Sequence, residues 1–149
     1  MFQILSKSQT DTEAIAQKIA PLFQSGDLIL LDGDLGAGKT HFVKGFTQGF
    51  QSEDSVTSPT FGVANFYRAA RCDILHIDLY RIATIEAFND LGLTDYFDQC
   101  VVCIEWGTKF ADYFDDCLLV SLASKGANER LITFSGHSDK YNEIKATLC

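Results

Sequence analysis

The run GDLGAGKT, residues 33–40, sets three glycines, a lysine and a hydroxyl residue in the order G-x-x-x-x-G-K-[ST]. These residue types suit one ligand chemistry. Glycines let backbone N–H groups turn inward around phosphate oxygens, and a helix that opens at the lysine aims its positive dipole end at the same anion. Lys39 then supplies a point charge to β- and γ-phosphates, and the Thr40 hydroxyl can join the shell of a Mg²⁺ ion. Gly33, Asp34, Leu35, Gly36, Ala37, Gly38, Lys39, Thr40 and His41 are therefore the candidate nucleotide contacts.

Phosphoryl transfer also needs a carboxylate for the metal and a group that positions the attacking water. Asp78 ends the apolar run ILHID, and Glu105 ends VVCIE. A period of two puts His76 and Asp78 on one strand face and Leu75, Ile77 and Leu79 on the other. Both acids fall where open α/β sheets bind ligands if their strands run parallel to the one before the glycines. His76 could orient Asp78 or be a satisfied core residue. Trp106 reads as a site neighbour or as a groove filler. Cys100 and Cys103 form a C-x-x-C, yet residues three apart on a strand face opposite ways and cannot share a metal.

The elements that must place these groups follow from apolar periodicity. FQILS reads as a strand, and Thr10 with Glu13 has the form of a capping box opening a helix through about Phe23. DLILLDG reads as a parallel strand buried on both faces. Phe42, Val43, Phe46 and Phe50 recur at helical spacing. Gly45 and Gly49 interrupt that helix, each at about 1 kcal/mol against alanine, and close packing on the sheet could offset them. Two strands joined around residues 68–71 are too closely connected for a parallel crossover and form an antiparallel pair. A helix at residues 84–91, a buried strand CVVCIEW, a short helix near residues 109–113, strands CLLVSL and RLITFS, and a last helix after Ser138 complete an α/β chain read as one domain, residues 1–149.

Composition bounds the remainder. The chain has 149 residues, 46% hydrophobic and 21% charged, with five cysteines and no long apolar run. That composition excludes a membrane span and a disulfide framework, and points to a cytoplasmic protein. Residues 73–116 hold ten acidic and two basic residues and so carry the whole net charge of −8. Such a field disfavours direct nucleic-acid binding, and it reads either as a solvated face, the commoner case, or as a surface for a basic partner.

With GDLGAGKT followed by SPTF at residues 58–61, HIDLYR at 76–81, LGLTDYF at 91–97 and IEWG at 104–107, the chain resembles the bacterial TsaE (YjeE) family of small P-loop ATPases. After SPTF it departs from the usual pattern with GVANFY. The resemblance implies a P-loop NTPase-like three-layer fold with a mixed, partly parallel sheet flanked by helices. It implies ATP as ligand, ADP as product, Mg²⁺ as metal, and a supporting role in forming N6-threonylcarbamoyladenosine at position 37 of tRNA. The implied partners are the TsaB and TsaD subunits, with tRNA met only through that complex. Lys39 and Asp78 would serve catalysis, Glu105 would orient or activate water, Trp106 would neighbour the nucleotide, and Thr40, Thr60, Asp78 and Glu105 would serve the metal side.

Other functions stay open. A small P-loop kinase would need a second substrate pocket and commonly an arginine clamp, and the chain has four arginines, Arg68, Arg71, Arg81 and Arg130. A GTPase would need N/T-K-x-D, and TKFAD places Asp112 one residue too far along. A nucleotide-gated binding module with negligible turnover would share every residue named above.

Overall fold

The computed structural model describes residues 1–59 and 62–149, so Thr60 lies outside the described residues. In chain order the elements are β1 (Phe2–Ser6), α1 (Gln9–Ile19), β2 (Leu28–Asp32), α2 (Lys39–Gly49), β3 (Ala64–Tyr67), β4 (Asp73–Asp78), α3 (Ile85–Asp90), β5 (Cys100–Glu105), β6 (Leu118–Ser124), β7 (Arg130–Gly136) and α4 (Tyr141–Leu148). Among the described residues the strands form one seven-stranded sheet in the order β1-β7-β6-β2-β5-β4-β3. β2 pairs in parallel with β5 and β6, and β4 in parallel with β5. The outer pairs β1–β7, β6–β7 and β3–β4 are antiparallel. The mixed α/β class expected from the sequence is the class observed.

The all-apolar strands lie at the centre because both of their faces are covered. Ile29 and Leu31 of β2 face a core built with Ile15, Ile19, Phe42, Phe46 and Ile144 from α1, α2 and α4. Leu28 and Leu30 face the opposite core, which contains Phe88 of α3 and is flanked by Leu93, Phe97 and Phe110 from two 3₁₀ segments, Leu93–Gln99 and Thr108–Tyr113. Helical layers thus cover both faces of the sheet. Cys100 belongs to the second core and Cys103 to the first, so the C-x-x-C does split across the sheet. No helix among the described residues is long and apolar enough to cross a membrane.

Three local expectations need correction. Ser8, not Thr10, caps α1: its hydroxyl accepts from Asp11 N–H, and Asp11 accepts in return from Lys7 N–H. The α-helix ends at Ile19 rather than near Phe23, because Pro21 cannot donate to a continuing helix and instead opens a 3₁₀ turn, Ala20–Leu22. Gly45 and Gly49 accommodate α1 and not the sheet. A Cβ on Gly45 would stand 2.0 Å from the Glu13 carbonyl oxygen, and one on Gly49 would stand 2.4 Å from Ala20 Cβ. The short helix expected near residues 109–113 is present as the 3₁₀ segment Thr108–Tyr113.

Candidate functional site

The glycine loop leaves the carboxyl end of β2 at the centre of the sheet and enters α2, whose N-terminus carries no side-chain cap. First-turn N–H groups without intrahelical acceptors therefore face the loop. Gly33 must be glycine for two reasons. Its φ is +146°, and a Cβ there would lie 2.6 Å from the Leu122 carbonyl oxygen of β6. Gly38, at φ +105°, turns the chain from loop to helix.

Arg130, at the start of β7, grips this loop from outside. Its Nε donates to the Ala37 carbonyl at 3.0 Å and its Nη2 to the Gly36 carbonyl at 3.3 Å. In a trans peptide the next N–H points opposite to the carbonyl, so this grip turns the Gly38 N–H away from Arg130. The Ala37 N–H is already committed to the Asp34 carbonyl at 2.9 Å.

Lys39 is 5% exposed, donates from Nζ to the Gly33 carbonyl, and lies 3.7 Å from the centre of the Trp106 ring. Burial lowers its pKa, against the opposing pull of Glu105, Asp32, Asp78 and Asp34. Trp106 takes a φ of +60°, an uncommon value for a bulky residue, and its N–H donates to the Leu31 carbonyl at 3.2 Å. That conformation follows Glu105 directly at the strand end and places the indole beside Lys39.

Asp78 and Glu105 are exact register partners at the ends of β4 and β5, and both are buried. The Thr40 hydroxyl donates to Glu105 Oε2 at 3.4 Å, and Asp78 Oδ1 accepts from Tyr80 N–H at 2.8 Å. A cleft of about 220 Å³ gathers Leu35, Gly36, Gly38, Lys39, Thr40, His41, Asp78, Glu105 and Trp106, together with Gln9 and Ser58. Gly33, Asp34 and Ala37 are not among its lining residues. Nδ1 of His41 faces Glu13 of α1 at 3.5 Å.

His76 turns out to hold Glu105 and not its own-strand neighbour Asp78. Nε2 lies 2.5 Å from Glu105 Oε2, a diagonal contact between paired strands, while Nδ1 lies 3.0 Å from the Tyr67 hydroxyl. The shared strand face with Asp78 was the only signal in the sequence. Tyr67 and Arg130 gave none, since each reaches the site across strands.

The residue chemistry fits a nucleoside polyphosphate with Mg²⁺. Inward-turned backbone, a buried ammonium and a hydroxyl beside two carboxylates suit phosphate and a hard cation. Among the described residues no group of three or more His, Cys, Asp or Glu could hold a metal alone. A sparse protein shell is the one Mg²⁺ takes when phosphate oxygens and water complete it.

The family model described as "Threonylcarbamoyl adenosine biosynthesis protein TsaE" matches residues 6–132 of this chain, a span that includes every residue of the cleft and Arg130. The protein named "tRNA threonylcarbamoyladenosine biosynthesis protein TsaE" of Bacillus subtilis (strain 168) is 37% identical over 136 residues, covering 90% of this chain and 85% of its own. Its namesake in Treponema pallidum (strain Nichols) is 35% identical, covering 87% of this chain and 96% of its own. The crystal structure of YdiB from Bacillus subtilis aligns with a TM-score of 0.79 at 29% identity, over 97% of this chain and 91% of that one.

Proposed function

Because the chain belongs to the TsaE family of threonylcarbamoyl adenosine biosynthesis proteins, we propose that it is a small Mg²⁺-dependent ATPase acting in threonylcarbamoyl transfer to adenosine 37 of tRNA. It would do so by binding and resetting a TsaB–TsaD complex, meeting tRNA only through that assembly. The carrying observation is the convergence of the glycine loop, Lys39, Thr40, Asp78 and Glu105 on one cleft at the carboxyl ends of parallel strands.

The loop N–H groups and the opening of α2 would bind the polyphosphate, and Lys39 would add its charge there. Trp106 would border the nucleotide beside that lysine. Neutralisation of phosphate charge is the chemistry that would come from a bound Mg²⁺. Thr40 would hold it through the hydroxyl, Asp78 and Glu105 through carboxylate oxygens, and Thr60 as a further ligand on the strength of the resemblance. Glu105 would orient the attacking water and accept its proton, giving ADP and phosphate. Burial of both carboxylates keeps bulk water from competing for these positions.

The test is ATP hydrolysis by the purified chain with Mg²⁺, alone and with TsaB and TsaD, using GTP as control. Weak turnover of ATP that rises with the partners is expected, and Glu105→Ala should keep nucleotide binding while losing about a hundredfold or more in turnover. Bound ATP without hydrolysis in either condition would leave a nucleotide-gated binding module. Transfer of phosphate to a small molecule would make the chain a kinase instead.

A further inference from the structure

His76 is fully buried in β4, and a fully buried polar ring on a sheet face needs partners for both nitrogens. It has them on opposite sides. Toward the cleft, Nε2 meets Glu105 Oε2; away from it, Nδ1 meets the Tyr67 hydroxyl. Tyr67 in turn reaches the segment before the SPTF run: its oxygen lies 3.3 Å from Thr57 N and 3.0 Å from the Thr57 carbonyl oxygen. Asn65 Nδ2 donates to the same carbonyl at 3.3 Å. Ser58, the next residue, lines the nucleotide cleft.

Every member of this chain has a hydrogen-bond partner. His76 Nε2–H donates to the Glu105 carboxylate. The Tyr67 O–H donates to the Thr57 carbonyl, which also takes Asn65, while the Tyr67 oxygen accepts the Thr57 N–H and shares a hydrogen bond with Nδ1. With Oε2 held by His76 and also approached by the Thr40 hydroxyl, rotation of the Glu105 carboxylate is stopped at one setting.

We propose that His76 and Tyr67 are positioning residues that fix the Glu105 carboxylate for hydrolysis and tie its setting to the segment at Thr57 and Ser58. The proposal rests on the reading that Glu105 acts on water. It adds a mechanical link: a shift of the Thr57 segment moves Tyr67, then the imidazole, then the carboxylate. Nucleotide contact near Ser58 and readiness of Glu105 are thereby one event. Partners that orient a buried site carboxylate typically matter by about 10- to 100-fold when removed.

The experiment uses the full chain with His76→Leu, His76→Gln, Tyr67→Phe and Glu105→Ala. It measures single-turnover ATP hydrolysis, ATP affinity from the fluorescence of Trp106, the one tryptophan, and amide exchange at Thr57 without nucleotide. His76→Leu is expected to slow turnover about 10- to 100-fold with ATP affinity within about threefold. It should also raise Thr57 exchange several-fold, although residue 76 does not touch Thr57. Glutamine, whose amide nitrogen can stand where Nε2 stands, should recover most of the turnover, and Tyr67→Phe should slow turnover with affinity kept.

Unchanged turnover in His76→Leu would overturn the proposal. So would a loss matched by an equal loss of affinity and left unrecovered by glutamine, which would make His76 a packing residue. If His76→Leu does not fold, the glutamine and phenylalanine variants decide by the same criteria. Wild-type turnover in Glu105→Ala would instead sink the hydrolytic reading, and Thr57 exchange in the His76 variants would then decide the link alone.

Discussion

Lys39 holds its charge against its surroundings. Burial lowers its pKa below 10.5, and the nearby carboxylates only partly oppose that. Below the folded value the ammonium is charged in both folded and unfolded chains, so its desolvation opposes folding. As pH rises through the folded value toward 10.5, the unfolded chain holds more protons and wild-type stability gains. Lys39→Met should therefore melt a few degrees higher than wild type without nucleotide at pH 7, with the gap narrowing in alkaline buffer. The same variant should lose the stabilisation that saturating ATP confers, about 2.7 kcal/mol at a hundredfold excess over Kd. Thermal melts from pH 7 to 10.5 check both; an unchanged gap across that range would remove the desolvation argument. The ammonium rests on the Gly33 carbonyl and the Trp106 face.

At the scale of elements, the stability of the site depends on how closely α2 can approach α1. Phe42 and Phe46 fill the core beneath, while Gly45 lets the two backbones approach near Glu13. Helix propensity alone predicts that Gly45→Ala stabilises by about 1 kcal/mol. Contact predicts the reverse. A Cβ 2.0 Å from a backbone carbonyl cannot be relieved by a side-chain rotamer, so the helices must part, at about 3 kcal/mol or more. Urea denaturation of Gly45→Ala should show that loss, and a variant as stable as wild type would show that α1 is free to shift. Since α2 carries Lys39 and Thr40 at its first turn, parting the helices should also weaken ATP binding.

For the whole molecule, charge decides what the surface can meet. The acidic excess lies in residues 73–116, the stretch that runs from β4 through β5 and the Thr108–Tyr113 turn. A chain that must neutralise phosphates with lysine and arginine would need the opposite sign. The isolated protein is therefore expected to show no shift of tRNA in a gel assay at about 150 mM salt, while binding appears only with the partner subunits present. Micromolar or tighter binding by the chain alone would defeat this expectation.

Local chemistry and period were enough to read the glycine loop, the buried central strands, the antiparallel pair around residues 68–71, and the two carboxylates at strand ends, because each depends on residue type and spacing within about ten positions. The helix cap was misread because Thr10 and Ser8 offer the same hydroxyl, and only the geometry of the first turn selects between them. Whether Gly45 faced sheet or helix, which acid His76 would hold, and that Arg130 would brace a loop more than ninety positions earlier were invisible. Those contacts depend on strand order and on register between β4 and β5, which long-range pairing decides and no local window contains. The types of the site residues were legible in the sequence; their mutual hold is a property of the fold.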